Sequence, residues 1–427
     1  MSGASARRAA AELLVETLDR KRTLDEALDT VSSYDGLKGP DRGFARAMAS
    51  ASLRQLGRID TGLSPFLQRP LDTAGEATRA LLRVGAAQIW LMDVAPHAAV
   101  GETVAAAKAW PDAARAAGFI NAVLRRASET RGAFDAVPST GIWPAWLATL
   151  FAADLGSEAA ERLARAQMHE PLLHLTPKTD AASVAQAVGG EVSPFGGVIA
   201  PGGAVEALPG YDAGDWWVQD AAAALPARLL DLQPGEPVLD LCAAPGGKTL
   251  QLAAAGAAVT ALDRSRPRLK RLRSNLERTG LDAEVIVATV EDHIPPSPPA
   301  KILLDAPCSA LGTLRRHPEG AWIKAPQDLT SFPDVQARLL RAARDMAADG
   351  ATIIYCVCTP LKREGEAVVQ AVLKEGGLTR APFTAAQVGA FAKNLTAAGD
   401  LLTVPGDGPS DHDAFYIARL VKAAKQA

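Results

Sequence analysis

Two cysteines in the second half of the chain directly follow apolar segments that are typical of β-strands. Cys308 stands in the motif DAPCS, and Cys358 follows the apolar run 352–357. Parallel strands of an α/β sheet bind ligands at their carboxyl ends, so we expect both thiols at the edge of a ligand site. A partly ionised thiol in such a place can act as a nucleophile.

Thiols can also pack in a core or bind a metal ion. Cys356 lies inside the apolar run and therefore suits a buried position. A structural zinc site needs four ligands at short spacings, and one Cys-x-Cys pair with the distant Cys242 and Cys308 fits that requirement poorly. We therefore expect no metal site.

A glycine-rich turn, DLCAAPGGKT, follows the first strand-like segment at residues 240–249. Its small residues, including Gly246 and Gly247, would let a ligand approach the backbone at a helix start, where free amide groups face outward. The next strand-like segment ends in Asp263, and an acid there can accept hydrogen bonds from ribose hydroxyl groups. The pattern predicts a nucleoside site, with an ordinary strand-to-helix turn as the alternative.

Two other nucleotide motifs fit this turn less well. The GKT at its end matches a P-loop, but that motif needs glycine where the chain has Cys242, and Pro245 cannot donate an amide hydrogen. The G-x-G-x-x-G pattern of nicotinamide enzymes is absent. A P-loop enzyme and a dehydrogenase are therefore disfavoured.

The elements that carry these motifs alternate between strand-like and helical patterns. The strand-like segments are 237–241, 258–262, 284–288, 302–304 and 352–357. This alternation predicts a doubly wound, mostly parallel sheet of the Rossmann-like α/β class. Residues 5–133 instead show amphipathic helical stripes separated by prolines, which predict an all-α bundle. We expect three domains. Residues 1–134 form the all-α domain, 135–215 form a linker with a small α+β subdomain, and 216–427 form the α/β domain.

Composition narrows the class of protein further. Hydrophobic content of 48% with 22% charged residues is typical of a globular chain, and no apolar run would serve as a signal peptide or a membrane span, so we expect a cytoplasmic protein. The net charge of −3 excludes nucleic-acid binding through bulk electrostatics and leaves only local basic patches. The candidates, each of which could instead be a solvated helix face, are 264–273, Arg315, Arg316, Arg7, Arg8, Arg20, Lys21 and Arg22.

Two thiols beside a nucleoside pocket suit methyl transfer to carbon 5 of cytosine. That carbon is too weak a nucleophile to attack a sulfonium methyl group until a thiolate has added to carbon 6. The attacking thiol must be partly ionised, so we expect a lowered pKa. Asp305 could hydrogen-bond the nitrogen edge of the base, and a cytosine in a duplex would have to be extruded.

The motifs together resemble those of a known family. The segments DLCAAPGGKT, LLDAPCSALGTLRRHPE and the YxxCT turn at Cys358 resemble the RNA cytosine-5 methyltransferases, and most closely the bacterial Sun/RsmB type that modifies 16S ribosomal RNA. GETVAAAK and GFINAVLRR resemble its NusB-like RNA-binding domain. GDWWVQDAAAALPARLL and DAFYIARL resemble the segments that precede and close the catalytic domain.

This resemblance implies roles for individual residues. It implies that Cys358 attacks the base and that Cys308 assists release of the product. It also implies 16S ribosomal RNA as the partner, a monomer without membrane or metal, and S-adenosylmethionine as the cofactor. The implied cofactor contacts are Cys242, Ala243, Ala244, Pro245, Gly246, Gly247, Lys248, Asp263, Arg268, Thr289 and Asp305.

The chain departs from the family pattern at three places. The usual YATCS is YCVCT here, so Val357 precedes the nucleophile and Cys356 could compete with it in labelling experiments. Thr289 stands where the family has an acid, with Glu291 and Asp292 nearby, which leaves the adenine contact open. Ala414 replaces a glycine before the last strand. The alternatives to the ribosomal reading are a transfer-RNA methyltransferase and a non-catalytic RNA-binding or assembly factor.

Overall fold

The computed structural model describes residues 3–406 and 412–424. The chain forms two compact units, of which the first comprises Met1–Glu170 and Leu314–Pro326 and the second Pro171–Thr313 and Gln327–Ala427. The segment Leu314–Pro326 thus groups with the N-terminal helices, although it interrupts the second unit in sequence. The three domain ranges expected from the sequence stay predictions. Among the described residues, no helix is both long enough and apolar enough to cross a membrane.

The secondary structure passes from helices to an alternation of strands and helices. The helices are α1 (Gly3–Leu18), α2 (Leu24–Thr30), α3 (Ser32–Asp35), α4 (Pro40–Arg54), α5 (Leu56–Leu63), α6 (Glu76–Leu91), α7 (Pro96–Ala109), α8 (Pro111–Ala114), α9 (Ala117–Glu129), α10 (Gly132–Asp135), α11 (Ala145–Leu155), α12 (Ser157–Gln167), α13 (Ala181–Val188), α14 (Leu225–Arg228), α15 (Gly247–Ala254), α16 (Arg266–Thr279), α17 (Gly320–Ile323), α18 (Phe332–Met346), α19 (Glu366–Lys374) and α20 (Ala385–Val388). The strands are β1 (Leu173–Pro177), β2 (Glu191–Val192), β3 (Val198–Ala200), β4 (Trp216–Val218), β5 (Pro237–Leu241), β6 (Ala258–Asp263), β7 (Glu284–Val287), β8 (Lys301–Asp305), β9 (Thr352–Val357), β10 (Leu378–Arg380), β11 (Leu401–Thr403) and β12 (Phe415–Lys422).

The first unit is the predicted all-α bundle. Its apolar stripes meet in one core, in which Leu13 and Leu14 of α1 are fully buried. Burial of each such leucine stabilises the bundle by about 1.5–3 kcal/mol relative to exposure. Trp90 stacks on Phe134 with ring centroids 4.9 Å apart, so α10 is held against α6.

The segment Leu314–Pro326 is fastened to these helices by backbone and carboxylate hydrogen bonds. Arg54 donates to the carbonyl of Arg315 at 2.5 Å, and the nearly inaccessible Glu319 accepts from the amide of Leu24 at 3.3 Å. Arg315 itself is only 1% exposed. The expectation that Arg315 could contribute to an RNA-binding patch is therefore wrong, because its side chain lies in the interior of the unit.

The N-terminal arginines are also largely engaged within the first unit. Arg7 is buried and its Nε donates to Gln88 at 2.8 Å. The other arginines of this group form the ion pairs Arg8–Glu12, Arg20–Glu76 and Arg22–Glu16. The alternative of a solvated helix face fits only Arg8 on α1, because Arg7 is buried and Arg20, Lys21 and Arg22 lie in the loop between α1 and α2.

The second unit begins with the expected small α+β subdomain. Its four strands form an antiparallel sheet in the order β2-β3-β1-β4. Leu175, Val198 and Trp216 of this sheet pack with Val184 and Val188 of α13 in a separate small core. Apolar stretches broken by glycine and proline thus fold here as short strands rather than as helices.

The larger sheet has the predicted doubly wound topology. Its strand order is β10-β12-β9-β8-β5-β6-β7, with β11 beside β12. The strands from β7 to β9 are parallel, whereas β12 runs antiparallel between β9 and β10. The chain winds outward in both directions from β5, so the crevice beside β5 is where such sheets bind ligands.

Alternating side chains bury both faces of this sheet. On β5, Val238 joins the core that contains α15 and α16, whereas Leu239 and Leu241 join the core that contains α18 and α19. Ile354 and Ile353 of β9 divide in the same way. The period of two along each strand therefore explains why the predicted strands read as continuous apolar runs.

Gly57 offers a test of packing in the first unit. A Cβ atom there would collide with the carbonyl oxygen of Gly141 and stand 3.3 Å from the ring of Trp322. We expect Gly57→Ala to lower the free energy of unfolding by about 1–3 kcal/mol, as overpacking does. Urea denaturation measures this change.

Gly43→Ala is the matched control, because Gly43 is exposed on α4 and a Cβ there meets nothing within 4 Å. That substitution should stabilise the unit by about 0.5–1 kcal/mol, since alanine loses less backbone entropy in a helix. Equal stability of the two variants would contradict the close packing of Gly57 against Gly141.

Candidate active site

A cavity of about 670 Å³ lies at the carboxyl ends of the parallel strands. Each of the strands β5 to β9 places one of the residues singled out in the sequence on its wall. These are Cys242, Asp263, Thr289, Asp305 and Cys358, and Arg268 and Cys308 join them. A volume of this size is typical of small-molecule sites. The structure thus brings seven of the residues proposed for the site together around one cavity.

The two thiols at the rim of the cavity touch each other. The sulfur atoms of Cys308 and Cys358 are 3.2 Å apart, and both side chains are partly exposed. The amide of Gly312 donates to the carbonyl of Cys358 at 2.9 Å. A Cβ on Gly312 would overlap the carbonyl oxygen of Ala414, so only glycine lets the chain after Cys308 run this close to the chain at Cys358.

The electrostatic surroundings of the cysteines differ. The hydrogen bond with Cys358, burial and the nearby Glu364 raise the pKa of Cys308 well above its ordinary value. Burial also raises the pKa of Cys356, whose side chain is inaccessible. Cys308 is therefore held as a neutral thiol that can share its hydrogen with Cys358.

Among the described residues, no cluster of three or more His, Cys, Asp or Glu side chains is arranged to hold a metal ion.

Asp305 is bound to a lysine from the glycine-rich turn. Lys248 Nζ lies 2.7 Å from Asp305 Oδ2 and 5.3 Å from the centroid of the Phe415 ring. Burial is the largest single effect on Lys248 and lowers its pKa, but the effects of Asp305, Cys356 and Cys358 together outweigh burial, so the pKa of Lys248 is raised. Cys356 donates its thiol hydrogen to Asp305 Oδ1 at 3.4 Å. Lys248 thus positions Asp305 and does not itself line the cavity.

Asp263 holds the glycine-rich turn in place. Its Oδ2 accepts from the amide of Ala244 at 3.2 Å, and its Oδ1 accepts from the amide of Ser265 at 2.8 Å. Arg268 donates to the carbonyl of Ala244 and lies 3.4 Å from Asp263 Oδ2. The residues of the turn that were proposed as cofactor contacts but do not line the cavity are Ala243, Ala244, Pro245, Gly246 and Gly247.

The turn has an unusual backbone conformation. Cys242 and Gly246 have φ angles of 61° and 112°, and the peptide bond before Pro245 is cis. A φ above zero is common for glycine but rare for cysteine. This conformation turns the chain sharply from β5 into α15 and leaves Cys242 on the cavity wall.

Part of the cavity wall was not found from the sequence. Val335, Arg338 and Leu339 of α18 line the cavity, and Arg338 forms an ion pair with Glu291 at 2.6 Å. Their spacing places them on one helix face. That spacing is a signal in the sequence, but it does not reveal which strand end the face meets.

The residues after β7 close the same part of the wall. Thr289 donates to Asp292 Oδ2 at 2.6 Å, and the amide of Asp292 donates back to Thr289 Oγ1 at 3.3 Å. Thr289, Glu291 and Asp292 all line the cavity. All three residues therefore remain candidates for the contact with adenine that the sequence left open.

A buried acid lies under the turn. Asp240 is inaccessible and accepts from Thr249 Oγ1 at 2.6 Å. Burial raises the pKa of Asp240 to about 7, against the effect of the Thr249 hydrogen bond. The acid is therefore close to its titration point near neutral pH.

The doubly wound sheet, the nucleoside-sized cavity beside β5 and the helical unit before it define a Rossmann-like methyltransferase with an N-terminal helical domain. Residues 227–421 match the family described as 16S rRNA methyltransferase RsmB/F, and residues 4–129 match the NusB family. Ribosomal RNA small subunit methyltransferase B of Pseudomonas syringae pv. tomato is 34% identical, over 98% of this chain and 97% of that relative. The chain belongs to the RsmB family of 16S rRNA methyltransferases.

Solved structures agree with this fold. The crystal structure of PH0851 has a TM-score of 0.76 at 20% identity and covers 99% of both chains. The crystal structure of NSun6 from Pyrococcus horikoshii with SFG has a TM-score of 0.57 at 16% identity, over 66% of this chain and 99% of that chain. At these identities the likeness concerns the fold alone.

The buried Asp240 gives a prediction about pH and stability. The pKa of Asp240 is higher in the folded than in the unfolded chain, so its stabilising contribution is complete below about pH 4 and is lost as pH rises towards 7. Relative to the wild type, Asp240→Asn should therefore gain free energy of unfolding over this range, by at most about 1.4 kcal/mol per pH unit. Urea denaturation at several pH values measures the difference. The exposed Asp282→Asn serves as the control, and an Asp240→Asn slope equal to that of the wild type would refute the prediction.

The contact between the two thiols predicts their oxidation product. Hydrogen peroxide should oxidise Cys308 and Cys358 to a disulfide, because their sulfur atoms already touch. The two thiol hydrogens leave with the two peroxide oxygens as two molecules of water. Mass spectrometry of a non-reduced digest identifies the linked peptides. The inaccessible Cys356 should stay reduced, so a disulfide that contains Cys356 would contradict the arrangement.

Proposed function

We propose that the protein transfers a methyl group from S-adenosylmethionine to carbon 5 of a cytosine in 16S ribosomal RNA through a covalent Cys358–cytosine adduct. The observation that carries this proposal is the pair of touching thiols at the rim of the cavity that Asp263 and Asp305 line. A single thiol has many uses, whereas two in contact beside a nucleoside-sized cavity suit a reaction that needs one sulfur to attack and another to assist.

The chemistry explains why sulfur is needed. The Cys358 thiolate adds to carbon 6 of the ring, which makes carbon 5 enamine-like and able to displace the methyl group from the sulfonium. A base then removes the proton from carbon 5, and the electrons of that bond expel the thiolate from carbon 6. Each bond that forms is matched by one that breaks, and the enzyme regains its thiolate.

The unequal environments of the two cysteines support the assignment of roles. The raised pKa of Cys308 favours its neutral thiol form. A protonated Cys308 can hydrogen-bond the Cys358 sulfur both before the attack and as the product is released. Cys358 is therefore the nucleophile in this proposal, and Cys308 assists product release.

The cavity fits S-adenosylmethionine as the cofactor. Its wall carries three acids that can accept hydrogen bonds from ribose and adenine, namely Asp263, Glu291 and Asp292. Thr289 lies beside the last two on the same wall. When bound, the cofactor supplies an electrophilic methyl group. Asp263 would accept from the ribose hydroxyl groups, and its bond to the amide of Ala244 fixes its orientation.

Asp305 has the position needed to orient the base. Its Oδ2 is held by Lys248, and its side chain lines the cavity with Cys308 and Cys358. An ionised carboxylate in this place can only accept hydrogen bonds. We expect it to accept from the cytosine amino group and so to present carbon 6 to Cys358.

Basic residues beside the cavity favour RNA as the substrate. Arg264 lines the cavity, and Arg266, Lys270 and Arg271 are exposed on or near the start of α16. Such a group can bind phosphates locally although the whole chain is slightly acidic. Relatives named as ribosomal RNA small subunit methyltransferase B favour ribosomal RNA over transfer RNA. The paired thiols favour an enzyme over a non-catalytic assembly factor, which would have no use for them.

Substitution of each cysteine tests the mechanism. Cys358→Ala should lower methyl transfer by a factor of about a thousand or more and prevent covalent capture of RNA, since the nucleophile is gone. Cys308→Ala should instead accumulate a protein–RNA adduct that resists denaturant, because release is slowed. Methylation of a 16S ribosomal RNA transcript and denaturing gels measure both effects, and bisulfite sequencing identifies the base.

Opposite phenotypes would reverse the two roles. Full activity in both variants would remove the proposed function altogether. Peptide mapping of the captured adduct distinguishes Cys358 from the neighbouring Cys356, which the sequence alone leaves as a competitor.

A further inference from the structure

One buried acid near the thiols has no part in the mechanism above. Glu364 lies between β9 and α19, is 0% exposed and does not line the cavity. One carboxylate oxygen, Oε2, accepts from the amide of Ser309 at 2.8 Å and from Gln336 Nε2 at 3.1 Å. Burial raises the pKa of Glu364, while the hydrogen bonds from Ser309 and Gln336 favour its carboxylate form.

This acid controls the chain on both sides of Cys308. Ser309 follows the cysteine, and its amide is bound by Glu364. Pro307 precedes the cysteine, and its carbonyl accepts from Gln336 Nε2 at 3.0 Å. The pair Glu364 and Gln336 therefore fixes the backbone of the Cys308 turn from both directions.

The same residue is tied to the strand that leads to Cys358. The carbonyl of Glu364 accepts from the hydroxyl of Tyr355 at 2.6 Å, and Tyr355 lies on β9. Thr359, which follows Cys358, places its hydroxyl 3.2 Å from the hydroxyl of Ser309. Both cysteine turns thus belong to one buried hydrogen-bond network that has Glu364 at its centre.

The charge of Glu364 has a second effect. Desolvation makes a buried carboxylate costly, so a neutral side chain could connect the two turns at a lower cost. A negative charge in the interior also acts on neighbouring ionisable groups. Glu364 is one of the groups that raise the pKa of Cys308.

We propose that Glu364 is a positioning residue for the reaction: with Gln336 it holds the Cys308 turn against the Cys358 turn. Its charge is the electrostatic part of this role. The catalytic meaning of this proposal rests on the proposed function. The geometric and electrostatic parts concern the two thiols alone, and thiol chemistry can test them without RNA.

Three full-length variants separate the effect of the Glu364 charge from the effect of the hydrogen bonds that hold the Cys308 turn. Glu364→Gln removes the charge and retains an acceptor for Ser309. Gln336→Met keeps a similar volume and removes the bonds to Pro307 and Glu364. Glu366→Gln is the matched control, because Glu366 is an exposed glutamate two residues further along the chain.

The measurements are kcat and KM for S-adenosylmethionine on a 16S ribosomal RNA transcript, and the pH dependence of iodoacetamide alkylation at each cysteine by mass spectrometry. Gln336→Met should lower kcat by about 10- to 100-fold, as small misplacements of reacting groups do, with KM for S-adenosylmethionine unchanged. Glu364→Gln should move the alkylation midpoint of Cys308 to lower pH, because a nearby negative charge has been removed. Glu366→Gln should match the wild type in both measurements.

Several results would overturn the proposal. It fails if Glu364→Gln leaves the Cys308 midpoint where Glu366→Gln leaves it, even with a lower kcat, because a merely structural residue would behave in that way. If Glu364→Gln does not fold, Gln336→Met decides: it should lower kcat and slow peroxide-driven formation of the Cys308–Cys358 disulfide, and normal values of both refute the tie.

Failure of the proposed function can be distinguished from failure of the proposal for Glu364. A wild-type protein that leaves cytosine unmodified contradicts the proposed reaction. The alkylation midpoints and the rate of disulfide formation would still report whether Glu364 controls the two thiols.

Discussion

The parallel pairing of β8 with β9 is the constraint on which the site depends. Their register sets Asp305 opposite Cys356, and the amide of Ala306 donates to the carbonyl of Cys356 at 3.0 Å. The two strands therefore end side by side, and the turns that follow them bring Cys308 and Cys358 into contact. Side chains alternate between the two faces of a strand. A register shift of one residue in β8 or β9 would therefore turn every side chain of that strand to the opposite face, and the site would not form.

Buried charge surrounds this pair of strand ends. Lys248 neutralises Asp305 on one side, and Glu364 ties the two turns on the other. Each buried ion costs free energy that its partners must offset, so these groups contribute little net stability. Their contribution is geometric: Lys248 fixes the Asp305 carboxylate, and Glu364 fixes the turn that contains Cys308.

The first unit is joined to this chemistry through the continuity of the chain. The turn that contains Cys308 continues through Gly312 into Leu314–Pro326, which packs with the N-terminal helices at Arg54 and Leu24. The helical unit is thereby linked along the chain, over a few residues, to the turn that contains Cys308. Arg315 is buried in this segment, whereas the neighbouring Arg316 and the basic residues at the start of α16 are exposed and remain candidates for RNA contacts.

Local patterns in the sequence determined the class of fold, the strands that carry the site and the residue types for the chemistry, because apolar periodicity and short motifs depend only on neighbours along the chain. The proposed reaction at Cys358 came from the same motifs. Only the tertiary structure decided that Lys248 binds Asp305, that Arg338 lines the cavity and that Glu364 joins the two cysteine turns. These are contacts between residues far apart in sequence, and no local pattern specifies which side chain will meet which partner.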